Sequence, residues 1–135
     1  MVKEAYCSYE VAKLLKEKGF YSSFCKTYYT TEVKSLTPLY TIIVIDEDEE
    51  NIILAPTHQM ALTWLREEYD IIVVIEPHDY NYIDSKTSSY VFSLWCGDNY
   101  EEPYSNQGSG IYGISYKSYE YAVDTALKYV LENLI

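Results

Sequence analysis

The chain of 135 residues has the length of one ordinary domain. Its hydrophobic content of 48% is enough to form a buried core, so a chain that is disordered over its whole length is excluded. Residues 1–36 hold six Lys and four Glu, a net +2, whereas residues 37–135 hold four basic and seventeen acidic residues, a net −13. Because such an acidic body repels phosphates, we expect no direct nucleic-acid binding and no attachment to anionic membranes.

The cysteine count and the apolar runs indicate a compartment. Three cysteines, an odd number, argue against a disulfide framework. The first residues lack the charged, apolar and small-residue regions of a signal peptide, and no apolar run approaches the roughly 20 residues that cross a bilayer. We therefore expect a cytoplasmic protein with reduced thiols.

The first helix is predicted to begin at Ser8, whose hydroxyl can accept a free amide of the first turn. It is predicted to end at Gly19, which takes the left-handed conformation at little cost, with Phe20 folding back on the last turn. A strand is expected around residues 24–29.

The middle of the chain is predicted to hold two buried strands and a helix. "LYTIIVID" at residues 39–46 and "IILAP" at 52–56, separated by an acidic turn, indicate a hairpin. Thr57 is the expected N-cap of the helix "HQMALTWLREEY" at residues 58–69. "IIVVIEP" at residues 71–77 is an almost continuous apolar run, so both faces of the strand would be apolar. This predicts a strand near the centre of a sheet.

The last third alternates loops with strands and ends in a helix. "SSYVFSLWC" at residues 88–96 is the predicted partner of the preceding strand, and "IYGISYK" at 111–117 is a predicted final strand. The segments at residues 77–87 and 97–110 have the composition of long loops. After Ser118, apolar residues recur every three or four positions, which predicts a helix.

Together these elements predict a single α+β domain over residues 1–135. We expect one mainly antiparallel sheet of roughly four to six strands, packed by about three helices that cover a face.

Two similar heptapeptides, "YCSYEVA" at residues 6–12 and "YKSYEYA" at 116–122, agree at five of seven positions. In both, Ser falls at the N-cap and Glu in the first turn, where the helix dipole favours a carboxylate. Val11 and Tyr121 stand at the third helical position, where a capping box needs Glu or Gln. The pair therefore marks two helix starts with incomplete capping boxes, and it does not indicate a duplication.

Three segments carry a resemblance to known proteins: "SYEVAKLLKEKGF" at residues 8–20, "PTHQMALTWLRE" at 56–67 and "YEYA…ENLI" within 119–135. In this order, and apart from the middle loops, the chain resembles a group of small proteins of unassigned function from gut Bacteroidetes and their phages and prophages. The resemblance implies an intracellular protein, often encoded on mobile elements. It implies no activity, cofactor or catalytic residue.

Candidate metal and nucleophile sites lack the necessary spacing. His58 and His78 could bind a metal with Cys25 or Cys96, but there is no C-x-x-C and no H-x-x-x-H. Nothing near either of these two cysteines in sequence activates its thiol for a Cys–His pair. We expect exposed or capping histidines and buried structural cysteines.

Two further segments depart from ligand-binding motifs. The acidic run at residues 46–50 is not an EF-hand loop, because Asn51 and Thr57 stand where Gly and Glu are needed. "GSGIYG" at residues 108–113 leads into a predicted strand, so it lacks the helix amides of a phosphate loop. We predict no catalytic residue, no metal site and no cofactor.

Seventeen tyrosines suit a contact surface, although Tyr in place of Phe in the core also explains the number. We expect a non-catalytic protein that binds another protein. The predicted contact residues, in the two long loops, are Tyr80, Tyr82, Tyr100 and Tyr104. The alternative is an acidic mimic of DNA that inhibits a host DNA-binding protein. An enzyme, with Glu76 and Asp79 as paired carboxylates, ranks third.

Overall fold

A computed structural model of the protein describes residues 3–32, 34–38, 51–77, 89–97, 99–105 and 116–135, with residues 99–105 described by their backbone. These residues form three helices and six strands. In chain order they are α1 (Tyr9–Glu17), β1 (Thr27–Thr30), β2 (Thr37–Pro38), β3 (Ile52–Leu54), α2 (His58–Tyr69), β4 (Ile71–Pro77), β5 (Tyr90–Cys96), β6 (Asn99–Ser105) and α3 (Tyr119–Asn133). The predicted α+β class is confirmed.

The described strands form two antiparallel sheets, in the orders β2–β1–β3 and β4–β5–β6. The expectation of one sheet is wrong for this part of the chain. Tyr29 of β1 lies opposite Ile53 of β3, whereas β4 pairs along its whole length with β5, from Ile71 opposite Cys96 onward. Helix α2 therefore connects strands of different sheets.

Strand β4 is less buried than its sequence indicates. Ile71 is buried, but the other six residues of the strand are half-buried. Among the described strands β5 lies in the middle of the sheet, and its Phe92 and Leu94 are buried. Within the described strands β4 has one neighbour, β5, so the prediction that residues 71–77 lie near the sheet centre is not confirmed there, because an apolar run indicates contact on both faces but does not determine the order of strands.

The main core lies between the three helices and the β4–β5 pair. Leu15 of α1, Leu65 of α2, Leu127 of α3 and Leu94 of β5 are all fully buried in it. Burying a leucine side chain contributes roughly 1.5–3 kcal/mol, so these contacts hold the helices firmly against the sheet. The packing also brings the first turns of α1 and α2 against α3.

Helix α1 has the predicted ends. The Ser8 hydroxyl accepts the amide of the third helical residue at 3.3 Å. Gly19 has a φ of 89°, in the left-handed region, and the Phe20 amide donates to the Leu15 carbonyl at 2.9 Å. This bond belongs to a Schellman motif, and the Phe20 side chain packs against the main core.

The other predicted caps are also confirmed. The Thr57 hydroxyl accepts the Met60 amide at 3.1 Å, and the Ser118 hydroxyl accepts the Tyr121 amide at 3.0 Å. No helix in the described ranges is long and apolar enough to cross a membrane.

The strand expected at residues 24–29 starts later, at Thr27, because residues 22–25 form a turn in which the Cys25 amide donates to the Ser22 carbonyl. The predicted strand at 39–46, the acidic run at 46–50 and most of the predicted strand at 111–117 lie outside the described residues.

Candidate functional site

Asp124, in the second turn of α3, joins the first turns of the other two helices. Its Oδ1 accepts the backbone amide of Ser8, the N-cap of α1, at 2.9 Å. The same oxygen lies 3.3 Å from Nε2 of His58, the first residue of α2. In a capping box the N-cap amide is bonded by Glu at the third helical position. Val11 cannot make that bond, and Asp124 makes it from another helix.

His58 is buried, with 9% of its surface exposed, so the expectation of an exposed or capping histidine is wrong. The hydrogen-bond partner that allows this burial, Asp124, lies 66 residues away in sequence. Burial by itself raises the pKa of the Asp124 carboxyl, but hydrogen bonds from His58 and Ser8 outweigh burial and hold that pKa below its usual value.

The cluster of Ser8, His58 and Asp124 has the residue types of a hydrolase triad in a different order. In such a triad the imidazole lies between the carboxylate and the nucleophile. Here the carboxylate lies between the imidazole and the serine, whose hydroxyl accepts the Val11 amide. The arrangement can tie three helices together, and it lacks the order in which an imidazole activates the serine.

The cysteines are not activated as nucleophiles. Cys7 is fully buried, its Sγ lies 3.9 Å from the Thr57 carbonyl oxygen, and burial followed by the nearby Asp124 carboxylate raises the pKa of its thiol well above the usual value. Burial raises the pKa of Cys25 to about 11 and also raises the pKa of Cys96. Within the described part of the chain, no three His, Cys, Asp or Glu side chains are grouped to hold a metal ion.

Two aromatic side chains project from the turn that follows α1. Tyr21 is 63% exposed and Phe24 is 81% exposed. Phenylalanine is among the residues most often buried, so this exposure is unusual. The Ser22 hydroxyl accepts the Phe24 amide at 3.2 Å, which stabilises the turn that presents both rings.

These rings border an open cavity of about 470 Å³ between residues 20–24 and α2, which we call the aromatic groove. Its lining includes Phe20, Tyr21, Phe24, Met60, Trp64 and Glu67. The Phe20 and Trp64 rings meet edge to face with centroids 5.5 Å apart, and Trp64 meets Tyr69 in the same way at 5.1 Å. Such pairs are favourable aromatic geometries, so the groove rests on a packed aromatic floor.

A second cavity, of about 680 Å³, lies between α1 and β3, and we call it the basic groove. Lys13 and Lys16, one turn apart on α1, line it together with Glu17. Lys16 Nζ donates to the Ile52 carbonyl of β3 at 2.9 Å. Phe20 and Tyr21 line both cavities and therefore separate the two grooves as a ridge.

The structure places the predicted contact tyrosines differently from the sequence analysis. Tyr100 and Tyr104 lie on β6, where the backbone of Tyr104 is opposite Leu94 of β5, so their assignment to a loop is wrong. Tyr80 and Tyr82 lie outside the described residues. A role in binding for all four stays a prediction.

The aromatic groove was missed because one of its two sides, residues 20–24, follows no helical or strand period. The segment "FYSSF" at residues 20–24 comes directly after the helix-ending Gly19 and places three aromatic residues in a short turn. Large aromatic residues in a stretch without periodicity are the signal that could have identified it.

A scan against models of known protein families gives no match, and comparisons with curated proteins and with solved structures give none either.

Proposed function

We propose that the protein acts without catalysis, by binding another protein through the aromatic groove. The observation that carries the proposal is the exposure of Phe24, at 81%, and of Tyr21, at 63%, beside the packed Phe20–Trp64 pair. Neighbouring apolar side chains exposed to water are typical of a contact site, because removing their surface from water on binding is favourable.

The composition of the groove supports this proposal. Aromatic residues and methionine are enriched in protein interfaces, and the aromatic groove contains Trp64 and Met60 beside the exposed rings. Its rim is polar, with Gln59, Thr63 and Glu67 on the α2 side. An apolar centre within a polar rim is the usual anatomy of a contact surface.

The polar cluster of Ser8, His58 and Asp124 also favours binding over catalysis. Its carboxylate oxygen Oδ1 accepts the Ser8 amide and contacts His58, which joins the helices, and the neighbouring Cys7 is a buried thiol. We place the activity in the cytoplasm, and the support for this is that Cys7, Cys25 and Cys96 are all unbridged.

The proposal is tested by affinity purification from cells that naturally produce the protein, with recovered proteins quantified by mass spectrometry. The double variant Tyr21→Ser/Phe24→Ser removes the exposed rings and, because both are largely in water, is expected to keep its melting temperature within a few degrees of the wild type. Recovery of a specific partner should fall at least about tenfold.

The matched control is Tyr119→Ser/Tyr121→Ser, which removes rings that are 48% and 61% exposed at the start of α3. This variant should recover the partner as the wild type does. Equal recovery by the wild type and the Tyr21→Ser/Phe24→Ser variant would show that the aromatic groove is not the contact surface.

A further inference from the structure

We infer that the segment of the partner that docks here is acidic, with apolar side chains on the Phe20–Tyr21 ridge and carboxylates beside Lys13 in the basic groove. The inference rests on the proposed function and adds the chemistry of the partner. It is carried by the charge and the shape of the basic groove, which the aromatic groove adjoins.

Among the described residues that line the basic groove the charge is positive, whereas the protein as a whole has a net charge of −11. Lys13 and Lys16 line the groove with one carboxylate, Glu17. Lys13 is exposed and makes no ion pair with any of the described residues. The hydrogen bond from Lys16 Nζ to the Ile52 carbonyl holds a second ammonium group at this groove. The ammonium group of Lys13, exposed on an acidic protein, favours a partner that brings a carboxylate to this site.

The apolar part of the groove indicates a peptide with hydrophobic side chains rather than a simple anion. Ala12 and Ile53, which line the groove, are buried, and Leu54 and Phe20 are half-buried. A volume of about 680 Å³ falls within the range of sites that enclose organic groups. Because Phe20 and Tyr21 belong to both grooves, one extended segment that crosses the ridge contacts the lysines and the exposed rings together.

The two ends of such a segment contribute differently to binding. Burial of apolar side chains at Tyr21 and Phe24 supplies most of the affinity. Pairing of carboxylates with Lys13 supplies orientation and selects against basic segments, which the acidic remainder of the protein would otherwise attract.

The test selects peptides from a displayed library of random dodecamers with the wild-type protein as bait. The selected sequences should be enriched in Asp and Glu next to Trp, Phe or Leu. A synthetic copy of the most enriched peptide, labelled with a fluorophore, is then titrated with each variant and followed by fluorescence anisotropy. Lys13→Glu should weaken binding about tenfold or more, and Lys13→Gln by about threefold.

The matched control is Lys117→Glu, which makes the same change of charge at an exposed lysine outside both groove linings. It should change the affinity less than about twofold. Circular dichroism spectra that match the wild type show that each variant is folded. Selection of basic or uncharged peptides, recovery of no binding peptide, or equal affinity for the wild type and Lys13→Glu would each overturn the inference.

The same titration separates this inference from the proposed function. If Tyr21→Ser/Phe24→Ser loses binding while Lys13→Glu keeps it, the aromatic groove is a contact surface and the acidic partner is wrong. If neither variant loses binding, the peptide docks elsewhere, and both the proposed contact surface and the inference fail.

Discussion

The Asp124 carboxylate on α3 accepts the backbone amide of Ser8, the N-cap of α1, across 116 residues of sequence. This bond supplies from another helix what Glu at the third helical position supplies in a capping box. The cap at Ser8 is therefore finished by tertiary structure.

Asp124→Ala should lower the free energy of unfolding by about 2–4 kcal/mol, because it leaves the part-buried Ser8 amide and His58 Nε2 without their shared acceptor. Asp124→Asn keeps an acceptor oxygen and should lose about half as much. Urea denaturation measures both. The control is Glu132→Ala, an exposed residue of α3, which should stay within about 0.5 kcal/mol of the wild type. If Glu132→Ala and Asp124→Ala lowered the free energy of unfolding by similar amounts, the Asp124 carboxylate would have no special role in stability.

The contribution of Asp124 to stability should vanish in acid. The pKa of its carboxyl in the folded protein lies below the ordinary value of 3.8, so the unfolded chain binds the proton more readily. The stabilisation is therefore complete well above pH 4 and is lost as the pH falls through the lower, folded pKa. In urea denaturation at pH 5, 4 and 3, the stability difference between the wild type and Asp124→Asn should be largest at pH 5 and shrink below pH 4. A difference that is constant down to pH 3 would contradict this explanation.

The cysteines should react with iodoacetamide in an order set by burial. Cys96 is half-buried, whereas Cys7 and Cys25 are buried and their thiol pKa values are raised by that burial. At pH 8 the folded protein should therefore be alkylated first at Cys96. Peptide mass spectrometry gives the rate at each site, and the same reaction in urea serves as the control in which the three rates converge. If Cys7 were alkylated as fast as Cys96 in the folded protein, Cys7 would not be buried.

Gly19→Ala should lower the free energy of unfolding by about 1 kcal/mol, because Gly19 has a φ of 89° that other residues adopt only with strain. A Cβ at this position would meet no atom within 4 Å, so the loss comes from the backbone and not from a clash. Gly19→Asn is the matched variant, since asparagine tolerates left-handed conformations better and should lose less. Thermal denaturation compares the two, and equal stability of the wild type and Gly19→Ala would contradict the strained backbone.

The four tyrosines predicted from the sequence remain a second candidate contact surface. Alanine at Tyr80, Tyr82, Tyr100 and Tyr104 should weaken partner recovery in affinity purification. Because the backbone of Tyr104 pairs with β5, alanine on β6 can also cost up to about 1 kcal/mol of stability. Tyr80→Ala/Tyr82→Ala therefore gives the cleaner measurement. Unchanged recovery with that pair, together with loss in Tyr21→Ser/Phe24→Ser, would leave the aromatic groove as the contact surface.

The sequence by itself determined the helices and their ends. The caps at Ser8, Thr57 and Ser118 each satisfy an amide three residues ahead, and Gly19 ends α1 through its own backbone freedom. These interactions are completed within one or two turns of the chain. The α+β class followed from them and from the apolar strands, because both patterns depend on neighbours in sequence.

Tertiary structure alone decided which strands, helices and side chains contact one another. Residues 99–105 have the composition of a loop, yet they form β6 because β5 offers its free edge across the short turn at Gly97. His58 is buried because α3 brings a carboxylate to it, and the aromatic groove exists because the turn after α1 lies against α2. The last two features join residues far apart in sequence, and the free energy that selects them comes from packing the common core, which no local pattern records.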